Sequence, residues 1–230
     1  MNIAAVRTKL IRPGDDLIAA IRGRVRKIKE GSVLAITSKV ISVVEGRMVP
    51  KEAGATLEKL VLQEAEKVWK SKHCWLALAQ GVLIPNAGVD ESNAFGGFIL
   101  WPKDPFATAK RIHDTLARHY KVKNFGVLIT DSWPMPLRRG VVGIALGYYG
   151  FKGLKNYIGK KDLMGRPLRM STVSVADALA SAAVLAMGEG SERTPVALIE
   201  DAPVKFSKKM DTKELRIAPD EDVYKRILKY

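Results

Sequence analysis

Apolar residues recur at helical spacing in several segments of the chain. The sequence Gly14-Asp15-Asp16 precedes the first of them, and an aspartate is a good N-terminal cap for a helix. Pro105 stands at the start of another, where a proline is tolerated in the first turn. The pattern predicts helices over residues 17–28, 56–70, 105–120 and 173–187.

Short apolar runs between these segments predict buried strands. The clearest runs are residues 32–37, 125–130, 141–146 and 196–200, with a weaker strand at 2–11 and an extended segment at 75–85. Strands and helices neither alternate strictly nor form a series of hairpins, which favours an α+β fold with mixed sheets. No linker is visible, so we expect residues 1–230 to form one domain, or two closely joined halves.

The charge of the chain is strongly positive, with 38 Lys and Arg against 24 Asp and Glu and a net charge of +14. Such an excess attracts polyanions, including nucleic acids and phosphorylated small molecules. The basic residues are spread along the chain, and the densest segment, 22–29, has the spacing of a solvated helix face. We therefore expect no nucleic-acid partner, with a basic nucleic-acid-binding protein as the alternative.

The sequence has no apolar stretch of membrane-spanning length, and we expect its N-terminal residues not to act as a secretory leader. Cys74 is the one cysteine, which excludes an internal disulfide. We expect a cytoplasmic protein without membrane attachment. His113 and His119 fall on a predicted charged helix and are expected at the surface.

Two loops carry candidate metal ligands. The first is residues 86–93, with Asp90 and Asn93, and the second is Asp131-Ser132 at the end of a buried strand. Carboxylates held at strand ends are suited to Mg²⁺ or Mn²⁺, which prefer oxygen ligands. Aspartate and asparagine also form turns and helix caps, and spacing alone does not separate the two interpretations.

A third candidate is Gly188-Glu189-Gly190-Ser191, which follows a predicted helix. Paired glycines can present backbone N–H groups to a phosphate, although a plain helix C-cap explains them equally well. The segment is not a Walker loop, because the helix precedes the glycines and no Gly-Lys-Ser/Thr ending follows.

Together these segments resemble a known family, the coenzyme F420-0:γ-glutamyl ligases, including its folate-metabolism branch. The resemblance covers residues 8–200, and its most specific element is the loop 86–93 (NAGVDESN). The other matching segments are, in order, 14–16, 37–39, 45–47, 102–105, 130–132, 162–169, 175–177 and 187–190.

The resemblance implies a GTP-dependent ligase of two-part α+β fold that forms a homodimer. It implies Mg²⁺ or Mn²⁺, with K⁺ as a further cation, and catalytic roles for Asp90 and Asp131. The implied metal ligands are Asp90, Asp131, Ser132 and Glu189. The implied nucleotide-binding residues are Lys9, Leu10, Ile11, Ser38, Asn93, Met187, Gly188, Glu189, Gly190 and Ser191.

By the same resemblance, the enzyme joins L-glutamate to a carboxylate of coenzyme F420-0 or a folate-like acceptor through an acyl phosphate. Arg138, Arg166 and Arg169, together with Arg139, are expected either to bind acceptor or phosphate oxygens or to be solvated.

Two departures from the family pattern leave the substrates open. Val43 follows Ser42 where a lysine is common, and Trp133 with two prolines replaces a Gly-Arg pair after Ser132. A metal-dependent phosphohydrolase and a nucleotide-binding relative without activity are the remaining alternatives.

Overall fold

The computed structural model describes residues 1–218 and 220–228. The strands are β1 (Asn2–Val6), β2 (Ser32–Thr37), β3 (Met48–Pro50), β4 (Lys67–Lys70), β5 (Trp75–Ala79), β6 (Val82–Pro85), β7 (Gly97–Ile99), β8 (Phe125–Pro134), β9 (Val141–Phe151), β10 (Leu154–Asn156), β11 (Thr172–Ser174), β12 (Val196–Glu200) and β13 (Phe206–Ser207). The helices are α1 (Leu17–Arg22), α2 (Ser38–Val44), α3 (Leu57–Glu64), α4 (Pro105–Tyr120), α5 (Val175–Met187) and α6 (Lys225–Leu228), with short 3-10 helices at Lys51–Ala53 and Asn86–Gly88.

A six-stranded mixed sheet forms the centre of the fold, in the order β1-β12-β2-β8-β9-β13. Strands β2 and β8 pair in parallel, and their register aligns Thr37 with Thr130. The pairs β1–β12, β12–β2, β8–β9 and β9–β13 are antiparallel. The expected α+β fold with mixed sheets is confirmed.

The central sheet is covered on both faces. Leu34 and Ile36 of β2 belong to a core that includes residues of α1 and α4, whereas Val33 and Ala35 belong to a second core with α5. Successive side chains of a strand point to opposite faces, so a strand buried on both sides reads as a continuous apolar run. This arrangement explains the uninterrupted sequence of β2.

Smaller sheets complete the fold: β3–β7, β4–β5–β6 and β10–β11. The core beneath the central sheet continues into this part of the molecule, because Ala77, Ile84 and Phe98 belong to the same cluster as Leu34. The number of folding units stays a prediction.

Two predicted helices are shorter than expected. The helix predicted over 17–28 ends at Arg22, although its expected aspartate cap is confirmed: Oδ1 of Asp16 accepts a hydrogen bond from the Ala19 backbone N–H at 3.0 Å. The helix predicted over 56–70 ends at Glu64, and Lys67–Lys70 instead forms β4 against β5. Pairing with a neighbouring strand overrides the helical periodicity there.

The strand predictions also need correction. The first strand ends at Val6 rather than at residue 11, β9 runs on to Phe151, and the last long helix begins at Val175 after a short strand. Strand β8 continues through Asp131 to Pro134, beyond the predicted end at residue 130.

His113 is not a surface residue. Its side chain is 2% exposed and stacks on Phe125, with ring centroids 5.6 Å apart. Its Nδ1 lies 2.9 Å from Oδ1 of Asp114. The apolar face of α4 packs on the sheet and includes His113, so the surface prediction for this residue was wrong.

Candidate active site

Four chain segments meet at one end of the central strands because of the topology of the sheet. Strand β2 ends there, with Thr37 opposite Thr130 of β8, β12 begins there, and β1 ends there with Val6 paired to Val196. The four segments are residues 7–11, 37–39, 131–134 and 187–195. The backbone N–H of Thr8 donates to the carbonyl of Arg193 at 2.9 Å, which joins the first and last of these segments.

Asp90 approaches this end from the smaller sheets. Its backbone pairs with Ile99 at the end of β7, which fixes the loop 86–93 at this position. Oδ1 of Asp90 accepts from the Ser92 backbone N–H at 2.6 Å, and Oδ2 accepts from the Ser92 hydroxyl at 2.9 Å. The Lys39 ammonium lies 2.6 Å from Oδ2. Burial opposes ionisation of Asp90, but Lys39 and Ser92 outweigh it and lower its pKa.

Asp131 has a different environment. Its Oδ1 accepts from the Ser132 backbone N–H at 2.8 Å, and its Oδ2 accepts from the indole N–H of Trp101. Burial raises the pKa of Asp131 to about 6, although these two donors and the charge of Lys39 act in the opposite direction. Asp131 is therefore a carboxylate whose negative charge is only partly compensated by the protein.

The glycine segment after α5 reaches the same place. The Ser132 hydroxyl donates to Oε1 of Glu189 at 2.5 Å, which connects the end of β8 to this segment. Gly188 has a φ of +80°, a left-handed value at which side chains other than glycine are strained. The carboxylate of Glu192 folds back over the two glycines and accepts from the Gly190 N–H at 2.8 Å.

These segments enclose a cavity of about 700 Å³. Every residue that the resemblance assigns to metal or nucleotide lines it: Lys9, Leu10, Ile11, Ser38, Asp90, Asn93, Asp131, Ser132, Met187, Gly188, Glu189, Gly190 and Ser191. The structure thus brings together residues that are up to 182 positions apart in the chain. Arg138, Arg166 and Arg169 are exposed and do not line it.

The donor set suits a hard divalent cation. Asp90, Asp131, Ser132 and Glu189 offer only oxygen atoms, and Asp131 lacks full charge compensation. Within the described parts of the chain, three or more His, Cys, Asp or Glu side chains nowhere form a ready metal cluster. Mg²⁺ is commonly held by one or two carboxylates together with waters and substrate phosphates, so the residues present fit such an ion.

Comparison with known proteins gives a family. The model of the F420-0:Gamma-glutamyl ligase family matches residues 5–201. The Coenzyme F420:L-glutamate ligase of Archaeoglobus fulgidus is 37% identical over 96% of this chain and 94% of its own. That of Methanopyrus kandleri is 33% identical over 94% and 93%. The chain belongs to the F420-0:γ-glutamyl ligase family. It is accordingly an enzyme of the ligase class that forms an amide-type bond.

Two features of this ligase were missed in the sequence. Trp101 is 3% exposed and orients Asp131, but it stands thirty positions away and just before the matching segment 102–105, so only the tertiary contact identifies it. Lys39 belongs to the motif Thr37-Ser38-Lys39, so a signal existed, yet the pairing with Asp90 depends on a tertiary contact.

Val43 also lines the cavity and is 3% exposed, so the position where the family pattern commonly has lysine contributes an apolar wall. The basic side chains that do line the cavity belong to Lys9, Lys39 and Arg193. Among the helices of residues 1–218 and 220–228, none combines the length and apolar content that a membrane span requires.

Proposed function

We propose that this ligase uses GTP and a divalent metal ion, Mg²⁺ or Mn²⁺, to join L-glutamate to a carboxylate of coenzyme F420-0. The observation that carries the proposal is that one cavity is lined by Asp90, by Asp131 and by the glycine segment after α5. The names of the relatives support the acceptor and the amino acid. A folate-like acceptor is the second candidate, because Trp133 and two prolines follow Ser132 where the family pattern has Gly-Arg.

The reaction needs the acceptor carboxylate to be activated, since a carboxylate and an amine do not condense to an amide in water. The bond between the γ-phosphorus and the β,γ-bridging oxygen breaks, and the acceptor carboxylate takes the phosphoryl group to give an acyl phosphate and GDP. The glutamate amine then attacks the acyl carbon, loses a proton, and expels inorganic phosphate. The product is an amide, and the atoms of GTP, acceptor and glutamate are all accounted for.

The residues of the cavity divide this work. Asp90, Asp131, Ser132 and Glu189 would hold the divalent ion, which when bound neutralises phosphate charge. Lys9, Lys39 and Arg193 supply positive charge to the triphosphate and the acceptor carboxylate. Trp101 and the Ser132 backbone fix the Asp131 carboxylate, so its lone pairs need no reorganisation when the substrates arrive.

The decisive experiment offers the purified protein Mg²⁺ or Mn²⁺, GTP, L-glutamate and, in separate reactions, coenzyme F420-0 and a folate. Mass spectrometry should detect an acceptor heavier by one glutamyl residue, together with GDP and phosphate in equal amounts. Asp90→Asn and Asp131→Asn should remove the product, because each deletes one of the carboxylates that would hold the divalent ion. Lys51→Met, which breaks the exposed ion pair of Lys51 with Glu91 at 2.9 Å, is the matched control and should stay active.

Release of phosphate without any glutamylated product, at a rate independent of glutamate and acceptor, would contradict the ligase proposal and support a phosphohydrolase. Exchange of GTP for ATP in the same assay tests the nucleotide. Product from the folate alone would replace coenzyme F420-0 as the acceptor.

A homodimer is part of the proposal. Residues 157–171, which connect β10 to β11, form an arm closed by backbone hydrogen bonds between Gly159 and Leu168 and between Leu168 and Lys160, each 2.8 Å. At the arm, Leu163 is 103% exposed, Met164 84% and Met170 85%. Large apolar side chains fully exposed on an ordered arm are typical of a surface that packs against another chain.

A further inference from the structure

Lys39 occupies an unusual position for a cation in a metal-binding cavity. Its ammonium lies 2.6 Å from Oδ2 of Asp90 and donates a hydrogen bond to the Ser92 hydroxyl at 2.7 Å. Its side chain is 30% exposed and lines the cavity beside Ser38. The ammonium therefore already occupies one of the carboxylate oxygens that a divalent ion would need.

The charges of Lys39, Asp90 and Asp131 do not balance. The charge of Asp90 acts to raise the pKa of Asp131, and the Lys39 ammonium acts to lower the pKa of both carboxyl groups. One ammonium carries a single positive charge against two carboxylates, whereas a divalent ion neutralises both at once. The arrangement compensates Asp90 well and compensates the negative charge of Asp131 only in part.

The hydrogen bonds of Asp90 would keep its side chain in place if a divalent ion replaced the Lys39 ammonium at Oδ2. Ser92 holds both carboxylate oxygens, through its backbone N–H to Oδ1 and its hydroxyl to Oδ2, so the orientation of Asp90 does not depend on Lys39 alone. Removal of the ammonium from Oδ2 frees a lone pair without releasing the side chain. An ammonium on a flexible four-carbon stem can move several ångströms at little cost.

We propose that the Lys39 ammonium stands in for the divalent cation at Asp90 and is displaced from that carboxylate when the cation binds. The freed ammonium then faces the cavity, where it donates to an anionic oxygen of the metal-bound nucleotide. Lys39 thus compensates Asp90 in the absence of the metal and binds substrate anion in its presence. The inference rests on the proposed function, because it takes Asp90 and Asp131 as the cation site.

The alternative is that Lys39 only positions Asp90 as a permanent neighbour. The two roles predict opposite signs for the affinity of the free metal ion. A competing ammonium lowers metal affinity, so its removal raises it, whereas a positioning ammonium supports the site, so its removal weakens metal binding.

The test measures binding of Mn²⁺ alone by electron paramagnetic resonance, using wild type, Lys39→Met, Lys39→Arg and the control Lys51→Met. Methionine keeps most of the length of the side chain and removes its charge. We expect Lys39→Met to bind free Mn²⁺ about tenfold more tightly than wild type, within the range of ordinary couplings between binding events. Lys51→Met should match wild type, because its ion pair with Glu91 lies outside the residues that line the cavity.

A second titration, by calorimetry, adds GDP in the presence of saturating Mn²⁺. Here Lys39→Met should bind about tenfold more weakly than wild type, and Lys39→Arg should retain most of the affinity, because the displaced cation contacts the nucleotide. This reversal of sign between free metal and metal-bound nucleotide is the signature of the exchange.

The outcomes separate the two proposals. If wild type binds Mn²⁺ but Lys39→Met binds it equally or more weakly, the exchange is refuted and the metal-dependent function stands. If wild type and Asp131→Asn both fail to bind Mn²⁺, the proposed metal site is refuted and the exchange with it. Circular dichroism of each variant checks that a lost signal does not reflect unfolding.

Discussion

The indole nitrogen of Trp101 donates a hydrogen bond to Oδ2 of Asp131, and the Trp101 ring itself packs against Gly88. Trp101 is 3% exposed, so this donor comes from a buried and well-fixed side chain. Asp131 lies on the cavity side of the contact. Trp101 therefore connects Gly88, in the loop that carries Asp90, to the orientation of the Asp131 carboxylate.

Trp101→Phe should weaken the site without unfolding the protein, because phenylalanine fills most of the volume and lacks the N–H. We expect Mn²⁺ affinity and kcat/KM to fall by about 10- to 100-fold, the usual effect of losing a partner that orients a metal ligand. Metal titration and steady-state kinetics measure the two quantities.

Trp133→Phe is the matched control for that prediction. The Trp133 indole donates to the carbonyl of Leu83 at 2.6 Å rather than to a carboxylate. Trp133→Phe therefore removes the same atoms without removing a hydrogen bond to Asp131. Equal losses of metal affinity in both variants would show that the Asp131 contact is not the cause.

Gly88→Ala should destabilise the fold by steric conflict as well as by backbone strain. An added Cβ would lie 2.2 Å from the Trp101 ring, and the φ of Gly88 is +74°. Gly96 has a φ of +84° with nothing within 4 Å of the added atom, so Gly96→Ala isolates the strain.

We expect Gly96→Ala to cost about 1 kcal/mol. Gly88→Ala should cost about 2 kcal/mol more, because the Trp101 ring must move. Urea denaturation of both variants gives the comparison. Equal costs would mean that the indole yields freely, and the coupling to Asp131 would then be weak.

The stability of the metal-free protein should depend on pH through Asp131. Its pKa of about 6 in the fold lies above the ordinary value of 3.8, so the ionised form is disfavoured by folding. The contribution of Asp131 is therefore least unfavourable below about pH 4, and it costs stability increasingly as the pH rises through 6.

The carboxylate lines the cavity and meets some water, so the full cost at pH 8 should not exceed about 3 kcal/mol. Chelator-treated wild type and Asp131→Asn, compared by urea denaturation from pH 4 to pH 8, isolate this contribution. The free energy of unfolding of Asp131→Asn should rise with pH relative to that of wild type. This difference should disappear when Mn²⁺ is added. A difference that stays constant with pH would place the pKa of Asp131 near its ordinary value.

The parts of the fold that local sequence determines were predicted well. The continuous apolar run of β2, buried on both faces, and the amphipathic repeat of α4 each carry their own signal. The end of α3 at Glu64 carries none, because residues 67–70 become a strand only through pairing with β5. His113 was misplaced for the same reason: its burial depends on Phe125 and Tyr149, which are distant in sequence.

The residues of the site also divide into those that a sequence motif identifies and those that only a tertiary contact identifies. Asp90, Asp131 and Gly188 stand in motifs that can be read along the chain, and the cavity contains all of them. The contacts of Lys39 with Asp90 and of Trp101 with Asp131 join residues 51 and 30 positions apart. Such pairs follow from which strand ends meet at a sheet edge, and a single sequence carries no record of that register.

The exposed arm of residues 157–171 should control assembly. Asp162 folds its tip by accepting from the backbone N–H groups of Met164 and Arg166 at 2.9 and 2.8 Å, so the arm keeps its shape when surface side chains change. The double variant Leu163→Asp and Met164→Asp places two charges where the apolar contact is proposed. We expect wild type to be a dimer of the 25.3 kDa chain and the double variant to be a monomer, because desolvation of a carboxylate opposes apolar packing.

Light scattering coupled to size-exclusion chromatography measures the mass of each variant directly. Leu62→Asp, on α3 and 54% exposed, is the control for a charge added to a different apolar surface position. Leu62→Asp should remain dimeric, because Leu62 lies on α3 and not on the arm of residues 157–171. A dimer that survives the double change but dissociates in Leu62→Asp would move the interface to α3, and a monomeric wild type would remove the homodimer from the proposal altogether.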